Sequence, residues 1–325
     1  MVQGEGLVCG MLHMCATSCR IRIKSVDDRP GRANGHDPDV TTPNLAYAWA
    51  QQRIWSETAN RLKHGLETAR RAALVLGIAA AMLAVAAVQL AGVSSAAGRV
   101  LGLLAGVTAG LAPALQRRAG TRQVAAWTRA RSAAEGLKSE VYEYLAGGSA
   151  YTAADRDQQL GSRSRAILRG VSDLLLTAAG IQPDSKPLPD VSGVDSYIAE
   201  RVNHQIDRYY KPKAARYQTL ASRLRLAGEL LGGIAVLLGA AAASFGARTV
   251  VDWVPVVTTV AASLTAFIAA SRYDHQIVEF LRTAQQLEYL RDSRVEAGMT
   301  DSDFIDACEG VISIENQGWM TNWPR

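Results

Sequence analysis

The sequence predicts an all-α integral membrane protein: two tandem two-span helical hairpins with long cytosolic helical extensions. Three observations carry that reading. The apolar residues collect into four uncharged runs, the basic residues collect beside those runs, and the second half of the chain repeats the first. The whole-chain mean hydropathy of +0.01 conceals this, because it averages neutral runs with polar flanks.

The runs are Ala72 to Gly98, Val100 to Gln116, Leu230 to Ala247 and Trp253 to Ser271, of 27, 17, 18 and 19 residues. Crossing a bilayer takes about 17–25 predominantly apolar residues, so each is long enough. They are rich in Ala and Gly, which leaves a buried hairpin of a large soluble helical protein as the alternative. Only short turns near Gly92–Arg99 and Ala247–Asp252 separate the members of each pair, so each pair closes as an antiparallel hairpin.

Residues 1–43 are polar and rich in turn-formers and predict a disordered leader. Cys9, Cys15 and Cys19 lie there with His13, but their spacing lacks the paired CxxC pattern of a zinc site. Met11 and Met14 fit an early start, and the short apolar stretch followed by Arg20, Arg22 and Lys24 does not fit a signal peptide.

The first unit, residues 44–180, opens with a helix (LAYAWAQQRIWSETANRLKHGLETARR) that enters the first run without a breaker. After the second run, Trp127, Ala130, Ala134, Leu137, Val141 and Tyr144 follow a heptad-like rhythm, predicting a long trailing helix that stops at Gly147-Gly148. A further helix is expected from about Ala153 to Ala179. Residues 181–195 carry three prolines and read as a linker. The second unit, 196–325, repeats the plan: Trp127, Arg129, Glu135, Leu137 and Lys138 match Phe280, Arg282, Glu288, Leu290 and Arg291 at a constant offset of 153. At a shift of 155, Trp55, Arg61, Arg70 and Gly77 match Tyr210, Arg216, Arg225 and Gly232. Two spans per unit keep the units in the same orientation.

The formal net charge is +5, and 29 of the 35 basic residues are arginine. The four segments flanking the runs hold 21 basic residues and the two turns only Arg99 and Arg248, which places both termini and the central region in the cytoplasm. Basic residues beside spans read as anchors to an anionic membrane face, and no nucleic-acid partner is expected.

No P-loop, HExxH, paired CxxC or GxSxG is present, and the five histidines are scattered, so no catalytic residue, cofactor or metal is predicted. The runs instead carry packing chemistry. Gly102, Gly106 and Gly110 recur every fourth residue, as do Gly228 and Gly232; such stripes let helices approach closely in lipid, within one chain or between copies. Glu229 abuts the third run four residues after Arg225, and an interfacial ion pair between them is expected. Gln89, Thr108, Thr258, Thr259 and Ser263 are uncharged polar residues within the runs, suited to a wet path or to bonds between helices. Near the C-terminus, Ile305, Cys308, Ile312 and Trp319 share a face with Glu309 and Glu315 nearby, and Cys308 reads as a packed thiol.

A basic leading helix, a tight two-span hairpin, a trailing helix reading RARSAAEGLKSEVYEY then GGSAY, a polar helix, and a second unit ending CEGVISIENQGW together resemble the bacterial DUF4231 proteins with SLATT domains (SMODS and SLOG-associating two-transmembrane effectors). The resemblance covers about Ala46 to Trp319. It implies a bacterial inner-membrane effector of conflict systems, a homo-oligomer that perturbs the bilayer when a nucleotide-signalling or sensor protein encoded nearby triggers it. The glycine stripes would then pack spans during assembly, and the cytosolic helices around Trp127, Leu137, Phe280 and Leu287 would form the interface receiving the signal. The rival readings are a small ion-coupled transporter, which would depend on Glu229, and a non-catalytic membrane scaffold.

Overall fold

The computed structural model describes residues 42–245 and 251–321. The leader with its three cysteines, and Arg248 in the second turn, lie outside them. Among the described residues there are helices and no strands.

The leading helix α1 (Pro43–Ala91, 49 residues) begins where Thr42 caps Leu45 N–H and Pro43 presets the first turn. The chain doubles back at Gly92–Val93 into α2 (Ser95–Arg117), capped by Ser94. Gly98 is where the two helices press closest: a Cβ there would stand 2.8 Å from the Ala91 Cβ and 3.0 Å from the Ala87 carbonyl. After a break at Arg118–Gly120 comes α3 (Thr121–Ala146), which ends at Gly147 with φ 85°, a left-handed position that suits glycine. Next is α4 (Arg156–Arg169), shorter than the helix expected from about Ala153 to Ala179. A 3₁₀ turn and the single turn α5 (Leu175–Ala178) finish that stretch, because Gly170 and Val171 interrupt it. Residues 181–191 lie along the first unit, with Trp49 Nε1 donating to the Lys186 carbonyl at 3.1 Å and Arg53 paired with Asp184.

The second unit opens with α6 (Val194–Tyr197) and two π-helical stretches, Ile198–Asn203 and Ile206–Tyr210. Such i→i+5 stretches are rare. They lead into α7 (Lys211–Phe245), followed by α8 (Val254–Ser271), α9 (Tyr273–Ser293) and α10 (Asp301–Thr321). Between α8 and α9 sits Arg272, at φ 48°, a conformation few non-glycine residues adopt. This joint and the break before α3 fall at equivalent positions, Ala119 and Arg272 being 153 apart. Burial repeats with the same register: Trp127, Ala130 and Ala134 answer to Phe280, Thr283 and Leu287, and Trp55, Ala59 and Leu66 to Tyr210, Ala214 and Ala221.

Four helical stretches are long and apolar enough to cross a membrane, covering α1, α2, α7 and α8. Their apolar side chains are largely uncovered: Val75, Val88, Leu103, Val236 and Leu237 are all at least 63% exposed. The packed core lies elsewhere, in three clusters formed by the polar parts of α1, α3, α4, α7, α9 and α10.

Candidate functional site

Two features stand out in the body, and both lie where the two units meet. The first is a cavity of about 400 Å³ bounded by α1, α3, α7, α8 and α9. Its lining cations are Lys63, Arg70 and Arg71 from α1, Arg131 from α3, and Lys213 and Arg216 from α7; among the described residues Glu67 is the only lining carboxylate. Aromatic rings form much of the rest of the wall. Lys213 Nζ stands 3.8 Å from the centre of the Tyr209 ring, whose hydroxyl accepts from Arg131. Tyr217 lies 6.0 Å from Phe280 and 5.6 Å from Tyr273, and Lys63 sits 6.0 Å from the Trp127 ring. Burial, then Lys213, Arg131 and Arg216, hold the Lys63 ammonium below the usual lysine range against the opposing effect of Glu67.

The second feature is a buried ion pair. The Arg201 guanidinium, in the π-helical stretch, donates from Nε and Nη2 to the two carboxylate oxygens of Glu309 on α10, both at 2.8 Å. Both side chains are almost fully enclosed, at 1% and 2% exposure. Glu309 also accepts from Tyr197 at 3.0 Å and from Ser139 of α3 at 2.7 Å, so a first-unit hydroxyl completes a second-unit pair. The Arg201 guanidinium stacks 4.8 Å from the Tyr142 ring. Burial alone would raise the Glu309 carboxyl, but Arg201 together with the hydrogen bonds from Ser139 and Tyr197 holds Glu309 below the usual carboxylate range.

Around this pair α3 carries further charge. Burial and then Arg201 push the Lys138 ammonium down to about 8, against the pull of Glu135 and Glu309. Burial, then Glu140, Glu309 and Asp306, push the Glu143 carboxyl up to about 8. Burial likewise pushes the Cys308 thiol, fully enclosed in the core, up to about 12, so it is held as an inert thiol. Among the described residues no group of His, Cys, Asp and Glu is placed to hold a metal ion.

Residues 51–159 match DUF4231, a protein family of unknown function, and residues 197–319 match SMODS and SLOG-associating 2TM effector domain 1, or SLATT. The chain carries these two domains in tandem. Each matched range holds two of the four membrane-capable segments, in agreement with the two transmembrane helices of the SLATT description. No curated protein and no solved structure matches the chain.

In the tandem, the residues singled out by sequence fall as follows. Gly102 faces α1, 4.0 Å from the Ala87 Cβ, whereas Gly106 and Gly110 have no neighbour within 4 Å. In the SLATT half, Gly228 stands 4.0 Å from Leu264 and Gly232 faces open space. Trp127 and Leu137, and Phe280 and Leu287, are interior residues of the body, at most 9% exposed, so a partner would meet their neighbours and not these side chains. Trp127 and Phe280 do reach the cavity wall. Arg225 is paired with Asp274 at the start of α9 and not with Glu229, because the turn at Arg272 brings that aspartate alongside α7. Glu229 is exposed.

Gln89 on α1 bonds to the turn before α8, Nε2 donating to Asp252 at 2.9 Å, while the hydroxyls of Thr108 and Thr258 bond back to their own helices. The Arg201–Glu309 pair escaped the sequence reading. Its partners stand 108 residues apart in different helices, and the lone signal was a carboxylate on the apolar face of the Cys308 helix.

Proposed function

We propose that this tandem is a multi-pass effector of the bacterial inner membrane that permeabilises the bilayer as a homo-oligomer, without being an enzyme. The observation that carries the reading is the uncovered apolar surface of the four membrane-capable segments, set against a tightly packed polar body. A soluble chain would not leave Val88, Leu103 and Val236 each more than 60% exposed. Each unit then forms a two-span hairpin, with α3, α9 and α10 in the cytoplasm beside the basic flanks and with both termini on that side. The SLATT description, an effector associated with SMODS and SLOG, supports a role in conflict systems and a nucleotide-signalling or sensor partner.

In this arrangement Gly106 and Gly110 turn their open faces to lipid or to a second copy, which suits contacts between copies. The test is dye release from liposomes carrying the purified chain, with growth of expressing cells as a parallel readout. Replacing both Gly106 and Gly110 with Leu should reduce release by about tenfold while leaving the unfolding midpoint of the monomer in detergent unchanged. Absence of release under any oligomeric condition would leave a scaffold. Solute flux without dye release, abolished by Glu229→Gln, would instead mark a carrier.

A further inference from the structure

The cavity between the units concentrates one sign of charge. Lys63, Arg131, Lys213 and Arg216 converge from three helices of both units, and the lining carboxylate Glu67 is shared between Arg71 at 3.4 Å and Lys63 at 3.8 Å. Burial first, and then repulsion from Lys213, Arg131 and Arg216, depress the lysine at position 63 against the pull of Glu67. Anchoring to a membrane face would be served equally well by side chains spread over an open surface. Gathered in a recess, they form a site whose repulsion a multiply charged anion would turn into attraction, through charge-assisted hydrogen bonds that are stronger there than in bulk water.

A phosphate ester suits the site best. It brings up to about two negative charges and three acceptor oxygens on one small group, and the guanidinium forks of Arg131 and Arg216 match those oxygens. The volume of about 400 Å³ lies within the range of small-ligand pockets. Tyr217 and Tyr273, half-buried on the cavity wall, supply ring surface beside the cations, where the organic part of such an ester can lie. We propose that the cavity binds a phosphate ester, its phosphate held by Lys63, Arg131, Lys213 and Arg216 and its organic part against Tyr217 and Tyr273.

Two sources present this chemistry. Phe267 and Ser271, at the end of an apolar segment, border the cavity, which puts it within reach of an anionic lipid headgroup; its aromatic wall equally suits a soluble nucleotide. The full chain in phosphatidylcholine nanodiscs is titrated calorimetrically with ATP and with pyrophosphate. In a separate arm, its unfolding midpoint is compared with and without phosphatidylglycerol in the disc. The variant Lys63→Gln/Arg216→Gln removes two cavity charges, and Arg117→Gln/Arg118→Gln removes two outside it; circular dichroism verifies the fold, and Arg216→Ala alone serves if the double variant loses helicity.

Saturable binding of ATP or pyrophosphate in phosphatidylcholine discs identifies a soluble ligand, and a midpoint rise that needs phosphatidylglycerol identifies the headgroup. In either arm the cavity variant should weaken the response about tenfold or more, and the outer variant less than about twofold. The proposal is overturned if neither arm responds, or if both variants weaken it equally, which would mark diffuse surface charge. Binding is read without any leakage assay, so its outcome is independent of whether the chain permeabilises membranes.

Discussion

At the scale of single residues, Arg201 and Glu309 are each tolerable only because of the other. Arg201→Ala leaves a carboxylate buried with two hydroxyl donors and without its paired guanidinium, and should cost about 3–5 kcal/mol. Replacing both, Arg201→Met with Glu309→Leu, should be close to neutral, because two desolvation costs disappear with the attraction. Unfolding midpoints of the two variants in mild detergent decide between these outcomes. Glu143 supplies a pH signature. Its carboxyl ordinarily titrates at 4.5 but is pushed up to about 8 in the fold, so the folded chain holds a proton that the unfolded chain has released. Its contribution to stability is therefore complete below about pH 4.5 and lost as the pH rises to about 8. Lys138, lowered from 10.5 to about 8, acts in the opposite sense and restores stability between about pH 8 and 10.5. Glu143→Gln should flatten the lower slope and leave the upper one, as followed by unfolding midpoint against pH. None of this could be read along the chain. Arg225 and Glu229 have the local i, i+4 spacing of an ion pair, yet the arginine goes to Asp274, because proximity created by a turn overrides spacing within a helix.

At the scale of helices, what could be read was periodicity, and what could not was phase. The four apolar runs, the glycine stop after α3 and the repeat offset depend on local sequence, and the helices follow them. Which face of α2 meets α1 depends on the partner, so the four-residue glycine stripe did not mark the seam. The seam runs through Gly98 and the buried Ala105, and only Gly102 of the stripe adjoins it. Gly98→Val should therefore force α1 and α2 apart and destabilise the chain by about 1–3 kcal/mol, whereas Gly106→Ala, with nothing within 4 Å, should be neutral or slightly stabilising. Thermal unfolding of the two variants side by side measures the contrast. The π-helical stretches before α7 have no counterpart in the smooth register of α1, and nothing in the residue types of IAERVN or IDRYY announces them.

At the scale of the molecule, the tandem repeat was legible because duplication leaves matching residues at a fixed offset, and the fold repeats the same burial at that offset. The merging of the two copies was not legible, since it rests on contacts such as Ser139 to Glu309 and Gln89 to Asp252 between distant residues. The copies also share one mechanical asymmetry. Their trailing sides are jointed, at Arg118–Gly120 and at Arg272, but their leading helices are not: α1 runs 49 residues, about 74 Å, from Pro43 through the core around Trp55, past the cavity and on to Ala91, and α7 runs 35 residues, about 52 Å, from Lys211 to Phe245. A shaft without a joint delivers at one end whatever rotation or displacement it receives at the other. In the proposed effector the two leading helices are therefore the rigid links between the cavity and the far ends of the apolar segments.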